Sequence, residues 1–183
     1  MERQEALAMV KKNVKNKNLR KHMYAVEAIC KKLANEFGQD EDKWALAGLL
    51  HDIDYDKTDK DPEKHSMIGA DMLEEAGLPA DIVYAVRVHN DAHGLERKSL
   101  LDKVLYAADP LSGLIVAAAL IKPERKLEAI NPEFIMRRFD ENSFARGANR
   151  EQIKSCEEFD MSLDKFVELS YQAMLEISDD LGL

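Results

Sequence analysis

Only two cysteines, Cys30 and Cys156, occur in 183 residues, too few for a disulfide framework. Cys30 falls on the same helical stripe as Val26 and Leu33, so it reads as a packed thiol. No apolar run approaches the roughly 18–20 residues that a membrane span requires. The opening Met1-Glu-Arg-Gln-Glu5 lacks the apolar segment of a secretory signal. These absences lead us to expect a reducing, cytoplasmic setting and no membrane partner. Internal repeats, low-complexity tracts and Gly/Ser-rich linkers are missing as well. So are a G-x-S-x-G elbow, an assignable Cys/His dyad and a Walker phosphate loop, leaving acyl, peptide and sugar chemistries without a supporting motif.

Strand-like alternation is absent over any useful length, whereas helical periodicity is almost continuous. Residues about 19–37 place Met23, Val26, Ile29, Cys30, Leu33 and Phe37 on one face, with Gly38 as a stop. Asp40 can cap the next helix, whose run Trp44-Ala-Leu-Ala-Gly-Leu-Leu50 is apolar all round and must be central. A loop rich in Asp and Lys follows to Pro62, then a helix from His65 to Glu75, stopped by Gly77. Pro79 suits the first turn of a further helix that carries His89 and ends near Gly94. Residues about 99–120 form a long apolar helix in which Pro110 should cause a kink or a break. Asn149 and Gln152 resemble a capping box for residues about 150–158, and a closing helix covers about 161–181. The expectation is an all-α fold in a single domain over residues 1–183, with a core of about 19–120 and C-terminal helices of about 124–181 packed on it.

Hydrophobic residues make up 45% of the chain and charged residues 33%, the balance of a water-soluble globular protein. Net charge is −9, yet residues 1–21 carry seven basic side chains (Arg3, Lys11, Lys12, Lys15, Lys17, Arg20, Lys21) against Glu2 and Glu5. A duplex nucleic acid would call for a wider basic surface, so none is expected as a partner. The basic stretch reads either as a solvated helix face or as a lure for an anionic substrate near His22.

Against this background stand four histidines and two aspartates in the order His22, His51-Asp52, His65, His89, Asp109. His22 shares a helical face with Val26 and Ile29, His65 with Ile68, Gly69 and Met72, and His89 with Ile82 and Val86. Imidazoles and carboxylates aimed into a core need partners, because unpaired buried polar groups cost about 2–7 kcal/mol. Metal ions satisfy all six together. Adjacent helical residues diverge by about 100°, so His51 and Asp52 can reach one ion only where their helix ends. A carboxylate can bridge two cations while neutral imidazoles complete each coordination sphere.

The order H…HD…H…H…D over residues about 19–112 resembles the HD-domain superfamily of metal-dependent phosphohydrolases, in its HDIG-type branch. The stretches His51-Asp-Ile-Asp-Tyr-Asp-Lys-Thr58, Leu101-Asp-Lys-Val-Leu-Tyr-Ala-Ala-Asp109-Pro-Leu-Ser-Gly113 and Ser143-Phe-Ala-Arg-Gly147 are similar to a small subfamily of HD hydrolases. The resemblance implies an all-helical HD-type domain in which His22, His51, Asp52 and Asp109 hold one metal. His65 and His89 would join Asp52 on a second. It also implies hydrolysis of a phosphoester, of a nucleotide or a related small phosphorylated metabolite, with Fe or Mn favoured over Zn, Co or Mg. The chain departs from the family phrase at Asp54, where HDIG proteins have Gly, and at Tyr55, with Lys57 two positions on. His89-Asn90 stands where many members have a double histidine, with His93 four residues beyond His89.

Asp52, Asp54 and Lys57 are therefore the candidate catalytic groups, and His93, Arg146 and Arg150 the candidate substrate contacts. Arg146 and Arg150 flank a helix start and could cradle a phosphate or form surface salt bridges. Ser112, one turn beyond Asp109, reads as packing or a substrate contact. Two other function classes use similar ligands: a di-iron oxygenase, and a metal-containing nucleotide-binding domain without turnover.

Overall fold

The computed structural model describes residues 1–141 and 143–183, and every regular element among them is helical. The α-helices are, in chain order, α1 (Arg3–Asn13), α2 (Lys17–Glu36), α3 (Glu41–Leu50), α4 (Tyr55–Thr58), α5 (Met67–Glu75) and α6 (Ala80–Val88). They continue with α7 (Leu100–Leu120), α8 (Pro132–Phe139), α9 (Arg150–Lys154), α10 (Leu163–Glu176) and α11 (Ser178–Leu181). Starts are fixed by side chains that accept otherwise orphaned backbone N–H groups: Asn16 for α2, Asp40 for α3, and a Ser99–Asp102 capping box for α7.

α2 packs most heavily on α3 and also touches α7 and α10, while α7 reaches α6, α8 and α9. The contact between α2 and α3 depends on Gly48. A Cβ there would stand 2.7 Å from the carbonyl oxygen of Val26 and 2.9 Å from the backbone of Glu27. Only a hydrogen at Gly48 lets the two helix backbones approach this closely, and that approach sets His22 against His51.

Four elements differ from the sequence expectation. His65 does not ride on a helix: α5 begins at Met67, and His65 lies in the preceding turn, followed by Ser66 at φ 69°. The strained Ser66 is buried and donates its hydroxyl to the carbonyl of Arg87 at 3.0 Å, which holds the turn against α6. α7 runs unbroken through Pro110. The proline cannot bond the carbonyl of Tyr106, and the side-chain amide of Gln152 donates to that oxygen instead, at 2.8 Å. Gln152 is thereby diverted from a capping box, and Asn149 caps α9 alone. The closing segment is two helices, α10 and α11, parted at Ile177.

By length and composition α7 is also apolar enough to cross a membrane, which corrects the reading of the hydropathy pattern above. Most of its apolar window is covered by neighbouring helices. Residues of α7 from Leu101 to Ala119 contribute to the core, whereas Leu120 at its end is exposed.

Gly48→Ala should force α2 and α3 apart and destabilise the protein by about 1–3 kcal/mol, read as a lower melting temperature. Gly113→Ala, where a Cβ would meet nothing within 4 Å, is the control and should hold or raise it. Equal melting temperatures for the two variants would remove the close-approach argument.

Candidate metal centre

The six side chains singled out in the sequence meet in one cluster. His22 projects from the middle of α2, and Asp109 comes from α7. His51 and His89 are the C-caps of α3 and α6, and Asp52 follows directly as α3 ends. The helix therefore stops where the doublet needs it to. His51 and His89 use that position identically. Each Nδ1–H donates to the carbonyl three residues earlier, Gly48 at 2.8 Å and Val86 at 2.6 Å, consuming a carbonyl that the helix end leaves orphaned. Both Nε2 atoms then face Asp52.

The remaining histidines are locked by other means. Nδ1 of His65 donates to Oδ1 of Asp54 at 3.0 Å. Nδ1 of His22 donates at 2.9 Å to the hydroxyl of Ser112, whose own hydrogen goes to the carbonyl of Asp109. Every imidazole thus has a fixed acceptor for an Nδ1 hydrogen and turns Nε2 inward, where it is available to a ligand.

Nε2 of His22 lies 3.1 Å from Nε2 of His51, 3.2 Å from Oδ1 of Asp109 and 3.5 Å from Oδ2 of Asp52. Nε2 of His51 lies 3.5 Å from Oδ2 of Asp52 and 3.9 Å from Oδ1 of Asp109. The other carboxylate oxygen of Asp52, Oδ1, lies 3.4 Å from Nε2 of His65 and 3.5 Å from Nε2 of His89. Donors about 2.1 Å from one tetrahedral ion would be about 3.4 Å apart, so the spacing fits a cation. Nε2 of His89 is buried and has no hydrogen-bond partner among the described residues, as expected of an atom reserved for a ligand. The groups His22–His51–Asp109 and His51–Asp52–His89 are each compact enough to hold an ion.

Burial, aided by the neighbouring His22 and His89 and opposed by Asp52 and Asp109, pushes His51 down to about 4, so its ring is neutral at physiological pH. Burial also opposes charge on His22 and His89, but the neighbouring carboxylates of Asp109 and Asp52 respectively outweigh it and raise both. Asp52 and Asp109 resist burial and are held below the ordinary carboxylate range, chiefly by His51 for Asp52 and by His22 for Asp109. The chain accordingly presents two carboxylates ready to face cations. Exposure is graded: the His51 and His89 side chains are 0% and 2% exposed, whereas those of His22 and Asp109 are 24% and 28%. Access to the cluster is therefore from the side of α2 and α7.

The other candidates fall elsewhere. Asp54 is fully buried behind His65, with its second oxygen taken by the N–H of Gly69 at 2.8 Å, so it does not face a reacting group. Lys57 is exposed on α4 and turned to Asn13 of α1. Nε2 of His93 donates to the backbone carbonyl of His65 at 2.8 Å, which makes it a support for that turn. Arg146 is exposed in the turn before α9, outside the cluster's hydrogen-bond network. Arg150 is no phosphate cradle, because its guanidinium hydrogens go to backbone carbonyls, including Phe139, Phe144, Ala145 and Ala148 at 2.6–3.1 Å. Two contributors went unread in the sequence: Asn90, whose amide donates to the carbonyls of Pro62 and His65, and the carbonyl of Gly48. The only sequence trace of the latter is a histidine three residues beyond it at a helix end.

The HD domain family model matches residues 19–114, just over half of the chain and all six converging side chains. The chain belongs to the HD-domain family. It is similar to the Ribonuclease Y of Oleidesulfovibrio alaskensis, 38% identical over 99 residues that cover 54% of this chain and 18% of that protein. Ribonuclease Y of Desulfotalea psychrophila is 35% identical over 123 residues, 64% of this chain and 23% of that protein. Ribonuclease Y of Geobacter sulfurreducens is 30% identical over 142 residues, covering 74% and 26%. The chain thus spans about a fifth to a quarter of the length of these relatives. No solved structure matches. HD domains are metal-dependent, and together with the relatives the family indicates hydrolase chemistry.

Arg150→Lys should lower stability by about 1–3 kcal/mol, since one ammonium cannot reach carbonyls spread around a planar fork. It should leave KM for any substrate unchanged. A raised KM at unaltered melting temperature would return Arg150 to the substrate.

Proposed function

We propose that this chain hydrolyses a phosphoester of a nucleotide or a related small phosphorylated metabolite at a centre of two divalent ions. His22, His51, Asp52 and Asp109 would hold one ion, and His65 and His89, with Asp52 shared, the other. One observation carries this reading: four imidazole lone pairs, each fixed by a spent Nδ1 hydrogen, converge on the two oxygens of one buried carboxylate. Only positive charge makes that arrangement favourable.

Divalent ions, when bound, supply Lewis acidity toward phosphoryl oxygens and an acidified water. The chain's own residues do the rest. His51 and His89 close the floor and exclude bulk solvent, which strengthens every electrostatic contact above them. Asp52 splits its two oxygens between the two histidine sets and so fixes their separation. Ser112 prevents rotation of the His22 ring at the open side, where a substrate would enter. Asp109, held ionised by His22, completes that rim.

The ribonuclease relatives favour a second reading for the substrate, the phosphodiester of RNA, and the basic segment near His22 suits either anion. Elemental analysis of the purified protein, followed by a product screen over nucleotides and short oligoribonucleotides with that metal supplied, separates the two. Turnover that persists unchanged without oxygen and with a redox-inert metal excludes the oxygenase chemistry, and product release excludes a binding-only role. Asp52→Ala should lose metal and activity together, by at least about 100-fold. Full turnover in that variant would overturn the mechanism.

A further inference from the structure

Asp54 is a buried carboxylate beside the cluster that does not point into it. Its Oδ1 accepts the Nδ1 hydrogen of His65 at 3.0 Å, and its Oδ2 accepts the backbone N–H of Gly69 at 2.8 Å. Space for it is made by Gly69, where a Cβ would come within 3.2 Å of Cγ of Asp54 and 3.3 Å of Cγ2 of Ile53. The hydroxyl of Thr58 donates to the backbone carbonyl of Asp54, which fixes the residue from behind. His65, unlike the other three histidines, stands on a turn, so no helix holds its ring. The backbone of that turn is gripped separately by Asn90 and His93, one and four residues beyond His89, which both donate to the carbonyl of His65.

From this geometry we infer that Asp54 is a positioning residue for the second ion: by claiming the Nδ1 hydrogen it keeps Nε2 of His65 available as a ligand. The inference rests on the two-ion reading above and assigns the second ion's affinity to a residue that does not touch it. Gly69 makes the assignment sharp. Its N–H always requires an acceptor at Oδ2, so in Asp54→Asn the amide oxygen must face Gly69 and the NH2 must face His65. Nδ1 then becomes an acceptor and the imidazole hydrogen moves to Nε2, where it points at Oδ1 of Asp52. The isosteric change thereby covers the ligand lone pair without altering volume. The opposite amide orientation sets the NH2 against the Gly69 N–H, so neither arrangement restores the wild-type ligand.

The test uses the full chain. Nitrogen-15 histidine spectra of the metal-stripped protein at mildly alkaline pH report which ring nitrogen carries hydrogen, and titration calorimetry with Mn2+ counts and ranks the ions. Wild type should show His65 with hydrogen on Nδ1 and two binding events. Asp54→Asn should keep the first event and its melting temperature, weaken the second by about 10–100-fold, and show the hydrogen on Nε2. Two unchanged events in Asp54→Asn would overturn the inference and leave the two-ion reading standing, as would equal weakening of both events. A single event in wild type would overturn the two-ion reading and the inference with it. Should Asp54→Asn fail to fold, the wild-type spectrum still decides, because hydrogen on Nε2 of His65 contradicts the assignment.

Discussion

Each imidazole in the centre can act only because its Nδ1 hydrogen has somewhere fixed to go. The fold supplies four acceptors of three kinds. Two are carbonyls that helix ends leave unpaired, Gly48 at the end of α3 and Val86 at the end of α6. One is a serine hydroxyl on a neighbouring helix, Ser112, and one is a buried carboxylate, Asp54. Were any of these acceptors removed, the corresponding ring could rotate or change tautomer, and the convergence on Asp52 would be lost. Helix termination is therefore part of the site's chemistry, since it produces both the acceptor and the change of direction that separates His51 from Asp52.

The centre also depends on residues beyond the segment that the family match covers. α7 delivers Asp109 and Ser112 from one turn, on either side of a proline that strips the Tyr106 carbonyl of its helical partner. Gln152 on α9 repairs that loss, so a residue some forty positions away keeps α7 regular where it meets His22. Arg150, at the start of the same short helix, draws together the carbonyls of the preceding turn. The two side chains act in series: Arg150 shapes the turn that positions α9, and Gln152 ties α9 to α7. Neither Arg150 nor Gln152 bonds to a residue of the cluster, yet Gln152 secures α7 one turn before Asp109.

Much of this was legible in the sequence where chemistry restricts residue type. The order of histidines and aspartates, the stop at Gly38, the cap at Asp40 and the helix end at His51-Asp52 were all readable, because each follows from a local rule. The start of α8 at Asn131-Pro132 follows from the same local rules. What sequence did not disclose was the partner of each polar group. The spacing of His65 with Ile68, Gly69 and Met72 mimics a helical stripe, but the stripe belongs to α5 alone and His65 precedes it. Asp54 looked like a further catalytic acid because its carboxylate is close in sequence to Asp52. Its partners, His65 and Gly69, are 11 and 15 residues away and are set by a turn that carries no distinctive pattern. Arg150 looked like an anion receptor for the same reason, since its carbonyl partners become neighbours only once the turn has formed.

The direction of approach follows from the same construction. His51 and His89 are C-caps and so lie beneath the helices they end, whereas His22 and Asp109 project from the sides of α2 and α7 and retain solvent contact. Tyr55, 38% exposed, stands edge-on to His65 with ring centroids 4.9 Å apart and borders that opening. The adjacent Asp56 accepts the backbone N–H groups of Lys15 and Asn16, which fastens the start of α2 and its basic neighbours to this border. A chain of net negative charge thereby places its one basic segment beside its one cluster of inward-facing donors. Because Asp56 is satisfied by backbone groups, it does not pair with the lysine side chains of that segment, whose positive field faces an approaching anion.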